Sequence, residues 1–159
     1  MKRRIALINL VKRLKVHFPI QFEGIDMDSV EFYIDVTNPQ NRIEIVDIID
    51  ADHNRNTFRK IVWMILNNRT DTLTYRREGK SVTAMKFSQK GHPNTRIYCK
   101  DIPATQKKKR KVVMARVFRN KTTTPNNKKN QEDIDAVINY EYEFFKNKDE
   151  AKKYREQTG

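Results

Sequence analysis

One cysteine, Cys99, stands in 159 residues, so no intrachain disulfide is available and no cysteine-based zinc site can be assembled. Glycine is scarce as well, with four in the whole chain, and neither a phosphate-binding glycine loop nor a dinucleotide fingerprint occurs. Long apolar runs are missing: the longest, around residues 61–66, falls far short of a membrane span. Met1-Lys2-Arg3-Arg4 and the apolar residues after it have the outline of a signal peptide. Lys12, Arg13 and Lys15 interrupt it and no small-residue cleavage site follows, so the expectation is a cytoplasmic protein without a membrane partner.

Negative charge is absent from two stretches. Residues 1–18 carry six bases and no acid, and residues 105–130 carry ten bases and no acid. Residues 19–52 are the reverse, with nine acids against one base, Arg42. The net charge of +13 therefore sits on one surface with an acidic counter-surface, a pattern that points to a polyanionic partner bound by phosphate neutralisation and counterion release. The acids cluster away from the basic stretches and lack two-metal spacing, so neither a metal nor a small-molecule cofactor is expected. Cys99, mid-strand in an alternating pattern, reads as a buried small thiol rather than a nucleophile.

What is present has readable periodicity. Ile5, Leu7, Ile8, Leu10, Val11, Leu14 and Phe18 recur close to helical spacing with Lys and Arg opposite them, predicting a basic amphipathic helix closed by Pro19. Residues 30–36 alternate as a strand and end at Thr37-Asn38-Pro39, a helix-start signal. Ile43, Ile45, Val46, Ile48 and Ile49 then form a short helix, with a strand as the alternative. Asn54 or Asn56 caps the next helix, whose stripe is Phe58, Ile61, Val62, Ile65 and Leu66. Three strands follow at residues 81–87, 95–102 and 111–118, and a last helix carries Ile134, Val137, Ile138, Tyr142 and Phe145. The sum is an α+β domain, a small antiparallel sheet with helices packed on one face, plus the N-terminal basic helix.

In this order stand Ala84-Met85-Lys86-Phe87, then Asn94-Thr95-Arg96-Ile97-Tyr98, then the apolar strand 111–118, then Arg119-Asn120-Lys121-Thr122-Thr123-Thr124-Pro125, then a helix ending in Tyr140-Glu141-Tyr142. The set resembles the RelE/ParE toxin superfamily, in particular its HigB-type, phage-associated branch, over residues 29–145. Residues 1–28 form a basic helical extension outside that pattern and 146–159 a charged tail. The Lys107–Lys111 loop is longer than that family's usual hairpin, and no histidine follows His92 where many members carry a Tyr or His near the end.

The resemblance implies the toxin of a toxin–antitoxin pair, a metal-independent mRNA endonuclease acting on the ribosome and silenced by an acidic antitoxin protein. Arg96 then takes the place of the phosphate-binding arginine. Lys121, with Arg119 beside it, falls at the basic position after the third strand, and Lys86 and Lys90 match the bases before the Arg96 strand. His92, in the loop entering that strand, is the candidate acid or base, since an unperturbed imidazole titrates near neutrality. His17 and His53 read as structural or surface residues. The candidate RNA contacts are Lys90, Lys107, Lys108, Lys109, Arg110, Lys111, Arg116, Arg119, Lys128 and Lys129. Tyr98, Tyr140 and Tyr142 read more readily as packing than as base-stacking residues. Two alternatives stay open: a non-catalytic RNA- or DNA-binding module, and a ParE-like protein acting on gyrase.

Overall fold

The computed structural model describes residues 2–120 and 127–144. In chain order the elements are β1 (Ile5–Leu7), α1 (Leu10–His17), β2 (Val30–Asp35), α2 (Pro39–Asp50), α3 (Arg55–Leu66), β3 (Tyr75–Gly79), β4 (Val82–Phe87), β5 (Asn94–Ile102), β6 (Arg110–Asn120) and α4 (Asn127–Asn139). The expected α+β class is what is observed. The Thr37-Asn38-Pro39 signal works through the Asn38 side chain, which accepts a hydrogen bond from the Gln40 backbone at 2.9 Å while Pro39 opens the helix. Asn54 stands at the start of α3 but spends its amide on the carbonyl of Ile48, at 2.9 Å, rather than on a cap.

Three expectations are corrected. The first concerns the N-terminal helix, which begins only at Leu10; Ile5–Leu7 instead pair antiparallel with β2. Ala6, Val11, Leu14 and Phe22 then enter the same core as α2 and α3, so residues 5–22 are built into the domain rather than appended to it. The second concerns the sheet. It has six strands in the order β1-β2-β6-β5-β4-β3 and is mixed, with β2 parallel to β6. The reason is topological. The α2–α3 pair returns the chain so that β3 runs opposite to β2, and three further reversals leave β6 parallel to β2. The third is that helices cover both faces. Phe32, Ile34, Met85, Phe87, Ile97, Cys99, Val112 and Met114 meet α1, α2 and α3 on one side. Val82, Ala84, Tyr98, Ala115 and Phe118 meet Ile134 and Val137 of α4 on the other.

Alternation along each strand sorts the side chains between these two layers. A bulge opposite Tyr98 and Cys99 puts an extra residue, Ala115, into β6. Gly79 permits α4 to approach β3 closely, since a Cβ there would lie 3.3 Å from the Ile134 side chain. Cys99 is fully buried, as expected, and burial pushes its thiol well above the usual range. Beyond α4 the chain runs along the free edge of β1: Arg3 donates its backbone N–H to Glu141 at 2.8 Å, and the Tyr142 hydroxyl donates to Asp35 at 2.7 Å. No helix among the described residues is long and apolar enough to cross a membrane.

Candidate nucleic-acid interface

Antiparallel pairing of β4 with β5 sets Lys86 directly opposite Arg96. By the strand period, both point to the α4 side of the sheet, one step from Ala84 and Tyr98. Arg76 on β3 is opposite Ala84 and so shares this face. The Arg76 guanidinium grips Glu78 with two bonds of 2.9 and 3.0 Å, and the Glu78 side chain is only 8% exposed. Three cations thus stand in a row across three strands with one carboxylate among them. Among the described residues Arg96 has no carboxylate partner.

Like charges directly opposite one another on a sheet destabilise it, so folding alone does not favour this pair. The consequence is visible at Lys86. Burial, then the charges of Arg76 and Arg96, lower its pKa below the usual lysine range, with Glu78 and Asp71 opposing. A lysine depressed in this way costs stability while it stays charged, and the cost fades only as pH rises through its folded pKa. We therefore expect Lys86→Met to stabilise the unliganded protein by about 0.2–1 kcal/mol, measured by urea unfolding at pH 7. The Lys86 ammonium also donates to the Thr72 carbonyl at 3.3 Å, an exposed bond whose loss the relief of repulsion is expected to outweigh.

Tyr98 closes the inner end of the row. It is fully buried under α4, its hydroxyl donates to Asn130 at 3.1 Å, and burial raises its pKa while Arg96 opposes the rise. It is a packing residue, as are Tyr140, beneath the Arg3 guanidinium at 3.9 Å, and Tyr142 on Asp35.

Of the catalytic set read from the sequence, Lys86 and Arg96 are brought together and His92 is not. His92 lies across the sheet, stacked on His53 with ring centroids 3.6 Å apart and planes 4° apart. The two rings, with Asp47, Gln89, Thr95 and Arg119, line a cavity of about 170 Å³ on the α2 side. Thr95 and Arg119 are cross-strand partners and alternate away from Arg96 and Phe118. His53, read from the sequence as a structural or surface residue, is thus the stacking partner of His92. Lys121 lies outside the described residues, and of Lys128 and Lys129 only their place in the first turn of α4 is described.

Three of the remaining eight predicted contacts are committed to the fold. Arg110 holds Asp101 with bonds of 2.9 and 2.6 Å and donates to the Ile65 carbonyl at 2.8 Å. Lys111 is buried, 3.5 Å from Glu31 and bonded to the Lys109 carbonyl. Arg116 pairs with buried Asp133 at 2.8 Å and donates to the Tyr140 hydroxyl. These three, predicted as RNA contacts, are placed in ion pairs of the fold. Lys90, Lys107, Lys108, Lys109 and Arg119 are exposed. Arg76 and Glu78 escaped the sequence reading because β3 was not read as a strand.

Among the described residues no group of three His, Cys, Asp or Glu side chains is placed to hold a metal ion. No protein-family model matches the sequence, and no curated protein or solved structure matches it either.

Proposed function

We propose that the protein cleaves single-stranded RNA without a metal, at the Arg76–Lys86–Arg96 row, and that it is the mRNA-directed toxin of a toxin–antitoxin pair. The single observation that carries the reading is the opposed Lys86–Arg96 pair, a repulsive arrangement that an RNA phosphate relieves. The resemblance to RelE/HigB toxins and the net charge of +13 support it independently. The partner that silences such a surface is an acidic protein, and the site of action in this reading is mRNA on the ribosome in the cytoplasm.

In this mechanism the ribose 2′-oxygen attacks the adjacent phosphorus and the bond from phosphorus to the 5′-oxygen breaks, leaving a cyclic phosphate and a free 5′-hydroxyl. Glu78 accepts the 2′-hydroxyl proton, its carboxylate oriented by Arg76. Arg96 stabilises the charge that builds on the non-bridging oxygens. Lys86, its ammonium made more acidic by burial and by its two guanidinium neighbours, protonates the departing oxygen.

A second reading, a non-catalytic RNA- or DNA-binding module, is favoured by the exposed Lys107–Lys109 loop and by the separation of His92 from Arg96. One assay decides between them. With purified protein and a fluorogenic RNA oligonucleotide, Glu78→Gln is expected to lower cleavage at least 100-fold, the size of one general acid–base contribution, while leaving affinity within about twofold. His92→Ala is expected to leave cleavage within about threefold of the native rate, since a residue across the sheet touches no reacting atom. If the native chain binds the oligonucleotide and never cuts it, the binding module is the correct reading.

A further inference from the structure

We infer that the groove beneath the β5–β6 turn is a second contact for single-stranded RNA, in which Phe144 stacks on a base and Lys107, Lys108 and Lys109 take the neighbouring phosphates. The inference rests on the RNA reading above and extends it to how a longer strand is held.

The groove encloses about 610 Å³, within the range of roughly 300–1,000 Å³ typical of ligand clefts. Its floor is the Lys111–Glu31 pair, and the Lys111 ammonium also bonds the Lys109 carbonyl. That leaves the three exposed lysines of the turn without a carboxylate among the described residues. The turn itself is closed by two hydrogen bonds: the Thr105 backbone N–H donates to the Lys108 carbonyl at 2.9 Å, and the Thr105 hydroxyl accepts from the Lys108 N–H at 3.1 Å.

Phe144 gives the groove a specific chemistry beyond charge. It is half-buried, tilted at 58° against Tyr33 with centroids 5.2 Å apart, and the Lys111 ammonium lies 5.3 Å from its ring centre. The chain just before it is fastened by the Tyr142–Asp35 bond and by the pairing of Arg3 with Tyr142. A ring held from behind at the mouth of a cationic groove is the combination that binds single strands, because every base offers a face to stack while the lysines follow the backbone. An acidic peptide needs the lysines and not the ring.

Both contacts lie on one face of the sheet, one on either side of α4. Tyr33, Val113 and Phe144 pack on the α4 side of the sheet, the side that carries Lys86 and Arg96. Along β5 Arg96 and Ile102 at the groove stand about 20 Å apart at the usual rise per residue, with Tyr98 and Lys100 beneath α4 between them, so a strand that engages both contacts passes around α4.

The test is an anisotropy titration of the full chain with a labelled twelve-nucleotide oligoadenylate over a salt series, with oligoglutamate as competitor. Phe144→Leu, which keeps an apolar contact to Tyr33, is expected to weaken binding about 5- to 100-fold with the salt slope unchanged. Replacing Lys107, Lys108 and Lys109 with serine is expected to lower the slope by about 2, at roughly 0.7 per phosphate. Photocrosslinking of the native chain to a 4-thiouridine strand is expected to label the peptide that contains Phe144. Binding that weakens with Arg96→Ala but is unmoved by Phe144→Leu and by the triple change, or crosslinks confined elsewhere, overturns the groove and leaves the RNA reading standing. Displacement of the RNA by oligoglutamate that depends on the lysines and not on Phe144 assigns the groove to an acidic peptide and overturns the inference. A native chain that binds no oligoadenylate at all overturns the RNA reading and the inference with it.

Discussion

Asp101→Ala is expected to cost about 3–5 kcal/mol of stability, the usual cost of removing one member of a buried ion pair. Asp101 is 5% exposed and its carboxylate holds two side chains. Arg110 donates to both of its oxygens, and the hydroxyl of Tyr75, itself fully buried, donates to one of them at 2.8 Å while also bonding Thr83. Alanine leaves a guanidinium that is 14% exposed without its counter-charge and a buried phenol short of an acceptor. Against a total stability of about 5–15 kcal/mol this is a large share, and the melting temperature is expected to fall by about 6–20 °C in a thermal scan. Because the pair itself is close to break-even, replacing Asp101 and Arg110 together with Leu and Met is expected to recover most of the loss. The network ties the end of β5 to β6 and, through the Ile65 carbonyl, to α3, so it fixes the base of the basic turn.

Arg96→Ala is expected to lower RNA cleavage by about 10²–10³ at saturating substrate, the effect of deleting one donor that acts on charge developed in the transition state. The fold is expected to lose nothing by it. Arg96 holds no carboxylate among the described residues, and its removal relieves the repulsion on Lys86. Unfolding by urea and turnover of a fluorogenic oligonucleotide, measured on the same preparation, separate the two effects. Arg96→Lys keeps the charge but not the forked donor, so it is expected to restore part of the rate and most of the affinity.

Much of this fold was legible in the sequence, and the exceptions have physical causes. β2, β5 and β6 show alternation or apolar runs, α2 carries its start signal in Asn38-Pro39, and α3 carries a clean stripe. β3 was illegible because, as an edge strand, it gives the core little more than Tyr75, and Arg76-Arg77-Glu78-Gly79 has no apolar alternation. In β1, the spacing of Ile5, Leu7 and Ile8 fits a helix as well as a strand, and long-range pairing with β2 decides it. Neither the parallel β2–β6 contact nor the split of helices between two faces has a local signature.

The site was legible in its identities and not in its grouping. Lys86 and Arg96 come into opposition as soon as β4 and β5 pair as a hairpin, which their sequence order allows. The diversion of Arg110, Lys111 and Arg116 into pairs with Asp101, Glu31 and Asp133 depends on contacts that no spacing reveals. His92 follows the same rule. A loop histidine beside a strand can turn to either face, and its stacking partner, His53, lies in a turn far away in sequence.

The most direct test of the central claim is induction of the native chain in a bacterium beside a Lys86→Ala/Arg96→Ala double variant, with growth and mRNA length followed together. The expected result is growth arrest with shortened mRNAs for the native chain and neither effect for an equally abundant, folded double variant. Native protein that accumulates folded while growth and mRNA stay intact, or a double variant as toxic as the native chain, would contradict an RNA-cleaving site on this face of the sheet.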